Sequence, residues 1–192
     1  MKDVTNTVYT EQEWDVHTKI TDASMIKYIN GSFKNVLDVG CGTGYAMRKF
    51  KEMGIDPIGI TLDDNEYKAH KFNGYDVRVM DMSFLDFEDE EFELIWCRHS
   101  LEHSVMPYIS LRELNRVLSP EGYMYVEVPS PTPPHIANPS HYSMLDDLSL
   151  QELFRRTGFK LLDRGQYALQ VPGEPGQGDQ LLLYWSYWLR KN

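Results

Sequence analysis

The chain has 192 residues, of which 42% are hydrophobic and 12% aromatic, so it can bury one core and is neither disordered nor fibrous as a whole. Its 29 acidic and 19 basic residues give a formal net charge of −10, which disfavours nucleic acid and anionic membrane surfaces as partners. The longest apolar run, residues 181–189, is too short to span a bilayer, no export signal opens the sequence, and its two cysteines are too few for a disulfide framework. We therefore predict a cytoplasmic protein with a single domain over residues 1–192, a monomer or homodimer, that acts on a small molecule.

Apolar segments alternate with helical ones from Asn35 onward. Strands separated by helices of this length are typical of right-handed crossovers and therefore of a parallel sheet. The tetrapeptide Ser-Pro-Glu-Gly at 119–122 predicts a turn after the third of these helices. The predicted strands are 36–39, 57–62, 76–80, 92–97 and 123–128, and the predicted helices are 44–53, 65–72 and 107–118.

The pattern changes after the fifth strand. Five prolines between residues 129 and 139 indicate a loop, 129–148, that is too long for a simple connector and that we expect on the substrate side. A helix over 149–157 follows, with Ser149 as its N-cap and Gly158 after its end. Two antiparallel strands, 159–169 and 180–190, complete the chain, and residues 1–32 are predicted to form a helical cap of one or two helices.

The segment 36–44 reads Val-Leu-Asp-Val-Gly-Cys-Gly-Thr-Gly and places three glycines between a strand and a helix. Glycine lets the backbone turn sharply and approach a ligand at the carboxyl end of the strand. The Gly-x-Gly-x-Gly spacing differs from the Gly-x-Gly-x-x-Gly of dinucleotide-binding folds. A nucleotide-like ligand is therefore favoured, and a dinucleotide oxidoreductase is the second choice.

With these motifs in this order, residues 33–165 resemble the class I S-adenosylmethionine-dependent methyltransferases, in the small-molecule branch typified by ubiquinone and menaquinone biosynthesis. The resemblance implies a Rossmann-like α/β sheet of seven strands in the order 3-2-1-4-5-7-6, with the last strand antiparallel and helices on both faces. It also implies methyl transfer from S-adenosyl-L-methionine, leaving S-adenosyl-L-homocysteine, to oxygen or nitrogen of a metabolite or sugar. No Asn-Pro-Pro-Tyr or Asp-Pro-Pro-Tyr motif follows strand four, so DNA bases are disfavoured as acceptors.

The same resemblance implies which residues bind the cofactor. Asp81, followed by Met82, would contact the adenine, although an acid that only closes a turn is the alternative for this position. Backbone groups of Arg98 and His99 would line the other side of the cofactor. The glycine turn and the acid of strand one would contact its methionine part, through Asp38, Gly40, Cys41, Gly42 and Gly44.

The residue that binds the ribose of the cofactor does not follow the usual family pattern. Family members usually have a carboxylate at the end of strand two, but this chain has Thr61, whose hydroxyl cannot accept two hydrogen bonds as a carboxylate can. The segment from Thr61 and Leu62 to Glu66 instead resembles the Thr-Leu-Ser-x-x-Gln of cyclopropane fatty acid synthases. That likeness assigns the ribose to Glu66, with Asp63 as the alternative unless Asp63 caps the next helix.

Four of the six histidines, His99, His103, His135 and His141, fall in the loops predicted to follow strands four and five. Those loops border the substrate crevice of an open α/β sheet. We predict His141 as the base or the acceptor-orienting residue, with His103 and Glu102 as the next catalytic candidates. Support of the cofactor pocket is the alternative role for Glu102 and His103.

Residues 99–103 also fit His-x-x-Glu-His, a zinc-hydrolase pattern with both histidines on one helix face. It needs a third ligand, for which Glu152 or Glu174 could be proposed. Because the pattern is short and the segment already has a methyltransferase interpretation, we predict no metal site. A third possibility, which Thr61 keeps open, is a cofactor-binding fold without chemistry that serves as an interaction module.

Overall fold

The computed structural model describes residues 14–29, 33–171 and 178–192. Its strands are β1 (Val36–Val39), β2 (Ile58–Thr61), β3 (Asp76–Val79), β4 (Phe92–Arg98), β5 (Leu118–Pro129), β6 (Phe159–Val171) and β7 (Gln180–Lys191). They form one sheet in the order β3-β2-β1-β4-β5-β7-β6, and β7 is antiparallel to both of its neighbours. The predicted Rossmann-like architecture is confirmed.

The helices are α1 (Trp14–Tyr28), α2 (Tyr45–Glu52), α3 (Asp64–Phe72), α4 (Pro107–Val117), α5 (Pro133–Ile136) and α6 (Asp147–Arg156). Each helix predicted from residue 44 onward is present within two residues of its expected ends. The short α5 lies inside the predicted loop 129–148 and was not predicted. Among the described residues, no helix combines the length and the hydropathy that a membrane crossing requires.

Helices cover both faces of the sheet. On one face, Ile95 and Cys97 of β4 belong to a core cluster that includes Leu114 of α4 and Phe154 of α6. On the other face, Trp96 packs in a second cluster with helices α1 and α2. Because side chains alternate along a strand, burial on both faces explains the continuous apolar run of β4.

Two local predictions are wrong. The helix before the Ser-Pro-Glu-Gly segment ends as predicted, but the segment is not a separate turn, because β5 already begins at Leu118. Phe92 pairs with Leu118 and Leu94 with Tyr123, so β5 advances five residues where β4 advances two, and the extra residues form a bulge. Gly122 is suited to this bulge because a Cβ there would lie 2.8 Å from Leu118.

The second error concerns the start of α6. Ser149 is not its N-cap: the helix begins two residues earlier, and the side chain of Asp146 accepts a hydrogen bond from the Ser149 backbone N–H at 2.8 Å. Asp and Ser are equally good N-cap residues, so residue type alone did not distinguish Asp146 from Ser149. Gly158, with φ of 93°, follows the helix as predicted.

Candidate cofactor and acceptor site

The glycine turn after β1 adopts a backbone conformation that favours glycine at three positions. Gly40, Gly42 and Gly44 have φ of 69°, 50° and 79°. A Cβ at Gly40 would lie 2.2 Å from the Ser100 hydroxyl oxygen, so the loop after β4 closes tightly on this turn. His70 of α3 donates from Nε2 to the Gly42 carbonyl at 2.6 Å. His70 therefore fixes the turn, a role that no sequence pattern indicated.

A cleft opens beside this turn, between the sheet edge and α1. Its lining includes Thr21 of α1, Asp38, Cys41 and His99. Burial raises the pKa of the Cys41 thiol, so this side chain is a neutral part of the wall. The structure thus brings the predicted strand-one acid, the glycine turn and the exit of β4 together around one space.

Asp38 is the unusual group in the cleft. It is 3% exposed, and its Oδ2 has no hydrogen-bond partner among the described residues. Burial, opposed by the charge of Arg98 and assisted by the negative charge of Glu66, raises its pKa to about 7. A buried carboxylate without a partner is costly, and a cationic ligand would compensate it.

The segment after β2 is ordered by its own side chains. The Thr61 hydroxyl donates to Glu66 Oε2 at 2.7 Å. Asp63 caps α3 by accepting from the backbone N–H of Asn65 and Glu66, which is the structural role considered for it. A Cβ on Gly42 would lie 3.9 Å from Glu66 Oε1, so this carboxylate reaches the glycine turn, whereas Leu62 is more than half exposed.

Asp81 and Met82 follow the carboxyl end of β3. Asp81 Oδ1 accepts from the Ser83 N–H at 2.8 Å, which is the turn-closing bond considered as its alternative role. Met82 packs partly buried against the main core cluster. The adenine assignment of these two residues remains a prediction.

A buried ionic network, missed from the sequence, borders the cleft. Glu127 of β5 is fully buried, and its Oε1 lies 2.6 Å from Arg98 Nε and 3.0 Å from His99 Nε2. Tyr125 and Tyr167 donate their hydroxyls to it at 2.6 and 2.8 Å. These positive and donor groups hold the pKa of Glu127 at about 2 against its burial. The available signal was one acid inside the apolar strand 123–128.

Helix α1 contributes a further imidazole to this network. Arg98 Nη2 donates to His17 Nδ1 at 2.9 Å, and the His17 ring meets the His99 ring edge to face at 5.1 Å. Burial, together with the neighbouring His99 and Arg98, lowers the pKa of His17 to about 3. His17 is therefore neutral, and Arg98 is held by Glu127 and His17.

The three residues predicted to be catalytic lie together. Glu102, His103 and His141 each have one carboxylate oxygen or ring nitrogen that lies within 4.8 Å of those of the other two residues. The two imidazole rings are 5.0 Å apart between centroids. His135 lies next to this group, 6.4 Å from the His141 ring, and donates from Nδ1 to the Ser130 carbonyl. Glu102 Oε1 is 3.7 Å from His99 Nδ1, which connects the group to the cleft.

The His-x-x-Glu-His interpretation is wrong in its geometry. Only Leu101–His103 is helical, as a single 3-10 turn, and His99 lies before it with φ of 51°. His99 faces Glu127, whereas His103 bonds the Ser140 carbonyl, so the two rings do not share a helix face. Glu152 pairs with Arg155 and Arg156 in the solvent, and Glu174 lies outside the described residues.

Known proteins resemble this chain in sequence and in fold. A family model described as a methyltransferase domain matches residues 37–126, from β1 into β5. The chain is 30% identical over 131 residues to a tRNA U34 carboxymethyltransferase of Nautilia profundicola, covering 64% of this chain and 42% of that protein. It is 34% identical over 105 residues to the chloroplastic tocopherol O-methyltransferase of Arabidopsis thaliana, covering 48% and 29%. The chain thus spans less than half the length of these two relatives.

Among solved structures, a SAM-dependent methyltransferase from Archaeoglobus fulgidus superimposes with a TM-score of 0.71 over 91% of this chain and 94% of that chain. At 19% identity this likeness establishes the fold alone. The tocopherol relative agrees with the predicted quinone-biosynthesis-like branch. Residues 37–126 thus match a methyltransferase domain, and the sheet order is that of the class I S-adenosylmethionine-dependent methyltransferase fold.

Proposed function

We propose that this protein transfers a methyl group from S-adenosylmethionine to an oxygen or nitrogen atom of a small molecule. The observation that carries the proposal is the buried Asp38 carboxylate in the glycine cleft, whose Oδ2 has no hydrogen-bond partner among the described residues, on the same sheet edge as the group of Glu102, His103 and His141. One region suits a cationic cofactor, and the other suits a nucleophilic acceptor.

The cofactor side fits S-adenosylmethionine through its own residues. Asp38 offers a carboxylate oxygen to a positively charged group, and the positive φ values of the glycine turn let a ligand approach the backbone closely. Glu66, at the turn, is the ribose candidate, and Asp81 with Met82 the adenine candidates. When bound, the cofactor supplies a methyl group on a positively charged sulfur.

The acceptor side would work mainly by alignment, because displacement at a methyl carbon requires the nucleophile to approach in line with the leaving sulfur. His103 and His141 each donate from Nδ1 to a backbone carbonyl, at 2.9 Å in both cases, so each ring is held in place. His103 Nε2 is then placed to orient the acceptor or to take its proton, and His141 Nε2 can do so by exchanging the hydrogen bond that it accepts from Asn138 Nδ2 at 3.2 Å. The acceptor atom loses that proton as its bond to the methyl carbon forms and the carbon–sulfur bond breaks.

A small acceptor is favoured over a nucleic acid. The formal charge of −10 repels a phosphate backbone. The tRNA-modifying relative is more than twice as long as the part that this chain matches, so its substrate does not transfer with the match. We place this reaction in the cytoplasm.

Calorimetric titration with S-adenosylmethionine, followed by transfer of labelled methyl to a metabolite extract, tests the proposal. We expect one binding site per chain and a labelled small-molecule product. Absence of binding would refute the proposal. Binding without any transfer would instead support the interaction module, and Asp38→Asn, compared with exposed Asp86→Asn, checks that binding occurs in the glycine cleft.

A further inference from the structure

Glu102, His103 and His141 form a group whose chemistry goes beyond a catalytic base. Glu102 and His103 lie in the 3-10 turn after β4, and His141 lies in the loop after β5. Their potential ligand atoms lie within 4.8 Å of one another. Imidazole and carboxylate are ligand types that divalent transition metals use. Side-chain movements of about an ångström would bring these three groups to bonding distance of one ion.

The hydrogen bonds of both rings prepare them for a cation. His103 Nδ1 contacts the Ser140 carbonyl, and His141 Nδ1 contacts the His135 carbonyl, each at 2.9 Å. Because a carbonyl oxygen only accepts, each Nδ1 carries the hydrogen and each Nε2 carries a lone pair. The lone pair of His141 Nε2 accepts from Asn138 Nδ2 at 3.2 Å, a hydrogen bond that a bound ion would replace. Metal-binding histidines usually have this arrangement, with one ring nitrogen held by a carbonyl or carboxylate.

The carboxylate provides an independent indication. Glu102 is 2% exposed, and its Oε2 has no hydrogen-bond partner among the described residues. Its Oε1 lies 3.7 Å from His99 Nδ1, so one oxygen is partnered and the other is not. A buried polar atom without a partner is uncommon, because the lost solvation is not repaid. A cation between Glu102 and the two rings would satisfy it.

We propose that Glu102, His103 and His141 bind one divalent transition-metal ion, with Zn²⁺ the best match to two imidazoles and a carboxylate. Three protein ligands leave at least one coordination position open. If the proposed methyl transfer is correct, that position would take the acceptor's oxygen and lower the pKa of its hydroxyl. The proton would then leave to water, because both imidazole lone pairs hold the ion, and the two histidines would orient the acceptor through the metal. This second step rests on the proposed function and selects hydroxyl over amine acceptors, whereas the metal site itself does not depend on that function.

The test uses the full chain without an affinity tag, treated with chelator and then titrated with Zn²⁺ by calorimetry and with Co²⁺ by visible absorption. We expect one ion per chain. Glu102→Gln and His141→Asn should each weaken binding at least tenfold, and the exposed control Glu88→Gln should not change it. The site would be overturned if the native chain bound no ion, or if both site variants bound the ion as tightly as the native chain does.

Folding and cofactor binding are monitored in the same samples. A circular-dichroism melting curve and the affinity for S-adenosylmethionine identify a variant that has lost its structure, in which case His103→Gln replaces it. Cofactor binding without metal binding contradicts the metal site and leaves the proposed function intact. Metal binding without methyl transfer to any acceptor contradicts the proposed function and leaves the site intact. Hydroxyl methylation that is equally fast in metal-loaded and metal-free protein contradicts the role of the metal in acceptor binding.

Discussion

The cofactor side and the acceptor side of this cleft are built in different ways. The glycine turn occupies one continuous segment, residues 36–44, which His70 and Glu66 join from α3 and Ser100 joins from the loop after β4. The acceptor side joins segments far apart in sequence, as in the bond between His103 and Ser140, which are 37 residues apart. A site within one segment can be read from local patterns, whereas an assembled site depends on how two loops pack.

The two sides also differ in electrostatics. Asp38 is a buried carboxylate with one oxygen that no described residue hydrogen-bonds, in a cleft that suits a positive ligand. His141 is a ring whose pKa is lowered by burial, with His103 lowering it and Glu102 opposing both, so it is neutral near pH 7. Changes on the cofactor side should therefore alter affinity, and changes on the acceptor side should alter turnover.

The largest effect that separates the two sides is expected for His141→Asn. Loss of the ring should lower kcat by about 100- to 10,000-fold, because a positioned proton acceptor or orienting group is removed. The affinity for S-adenosylmethionine should stay within twofold. Steady-state kinetics and calorimetry measure the two quantities, with the exposed Leu148→Ala as the control. Native turnover in His141→Asn would remove this residue from the mechanism.

Glu127→Gln tests the ionic network between the two sides. It leaves Arg98 buried without its carboxylate, which should lower the free energy of unfolding by about 3–5 kcal/mol. Urea unfolding followed by fluorescence measures this change. The solvent-exposed ion-paired Glu152→Gln is the matched control and should change stability little. Equal stabilities of the two variants would show that the buried pair does not matter for folding.

Gly42→Val tests the cofactor side through its backbone. A β-branched residue at φ of 50° is strained by about 1–3 kcal/mol. The variant turn would relieve this strain by changing its backbone conformation, and the ligand would then have to restore the original conformation in order to bind. The affinity for S-adenosylmethionine should therefore fall about 10- to 100-fold. Gly74→Val, with φ of 75° before β3 and away from the cleft, should impose similar strain without loss of affinity. Equal losses in both variants would contradict a local role for the turn.

The smallest effect is a pH dependence. With a pKa of about 7 in the protein, Asp38 is mostly neutral at pH 6 and ionised at pH 8. Since a cationic ligand favours the ionised form, the affinity should rise about tenfold over this range. Asp38→Asn should remove the rise, while exposed Asp86→Asn should keep it. An identical pH profile in Asp38→Asn would assign the dependence to another group.

The sign for stability without ligand is opposite. The pKa of Asp38 is higher in the folded state than its ordinary value of 3.8. The protein therefore gains stability from this group below that value and loses it as pH rises towards 7. Asp38→Asn should flatten this part of the stability profile, which thermal unfolding between pH 4 and pH 8 measures.

Much of the fold could be predicted because its signals are local. Apolar runs and glycine or proline breaks indicated the strands and helices from residue 36 onward within a few residues, apart from the start of β5 and the short α5. The sheet order came from the family resemblance of those motifs. The start of β5 could not be predicted, because its bulge exists only where β4 lies beside it.

The residues 36–44 by themselves determined the glycine turn, since positive φ values and close approach depend on the residue types at those positions. Only the tertiary structure decided that His103 meets His141 rather than His99, and that Glu127 pairs with Arg98. Contacts between distant segments depend on the side-chain directions of packed strands and loops. A sequence pattern within one segment carries no information about which distant partner those directions select.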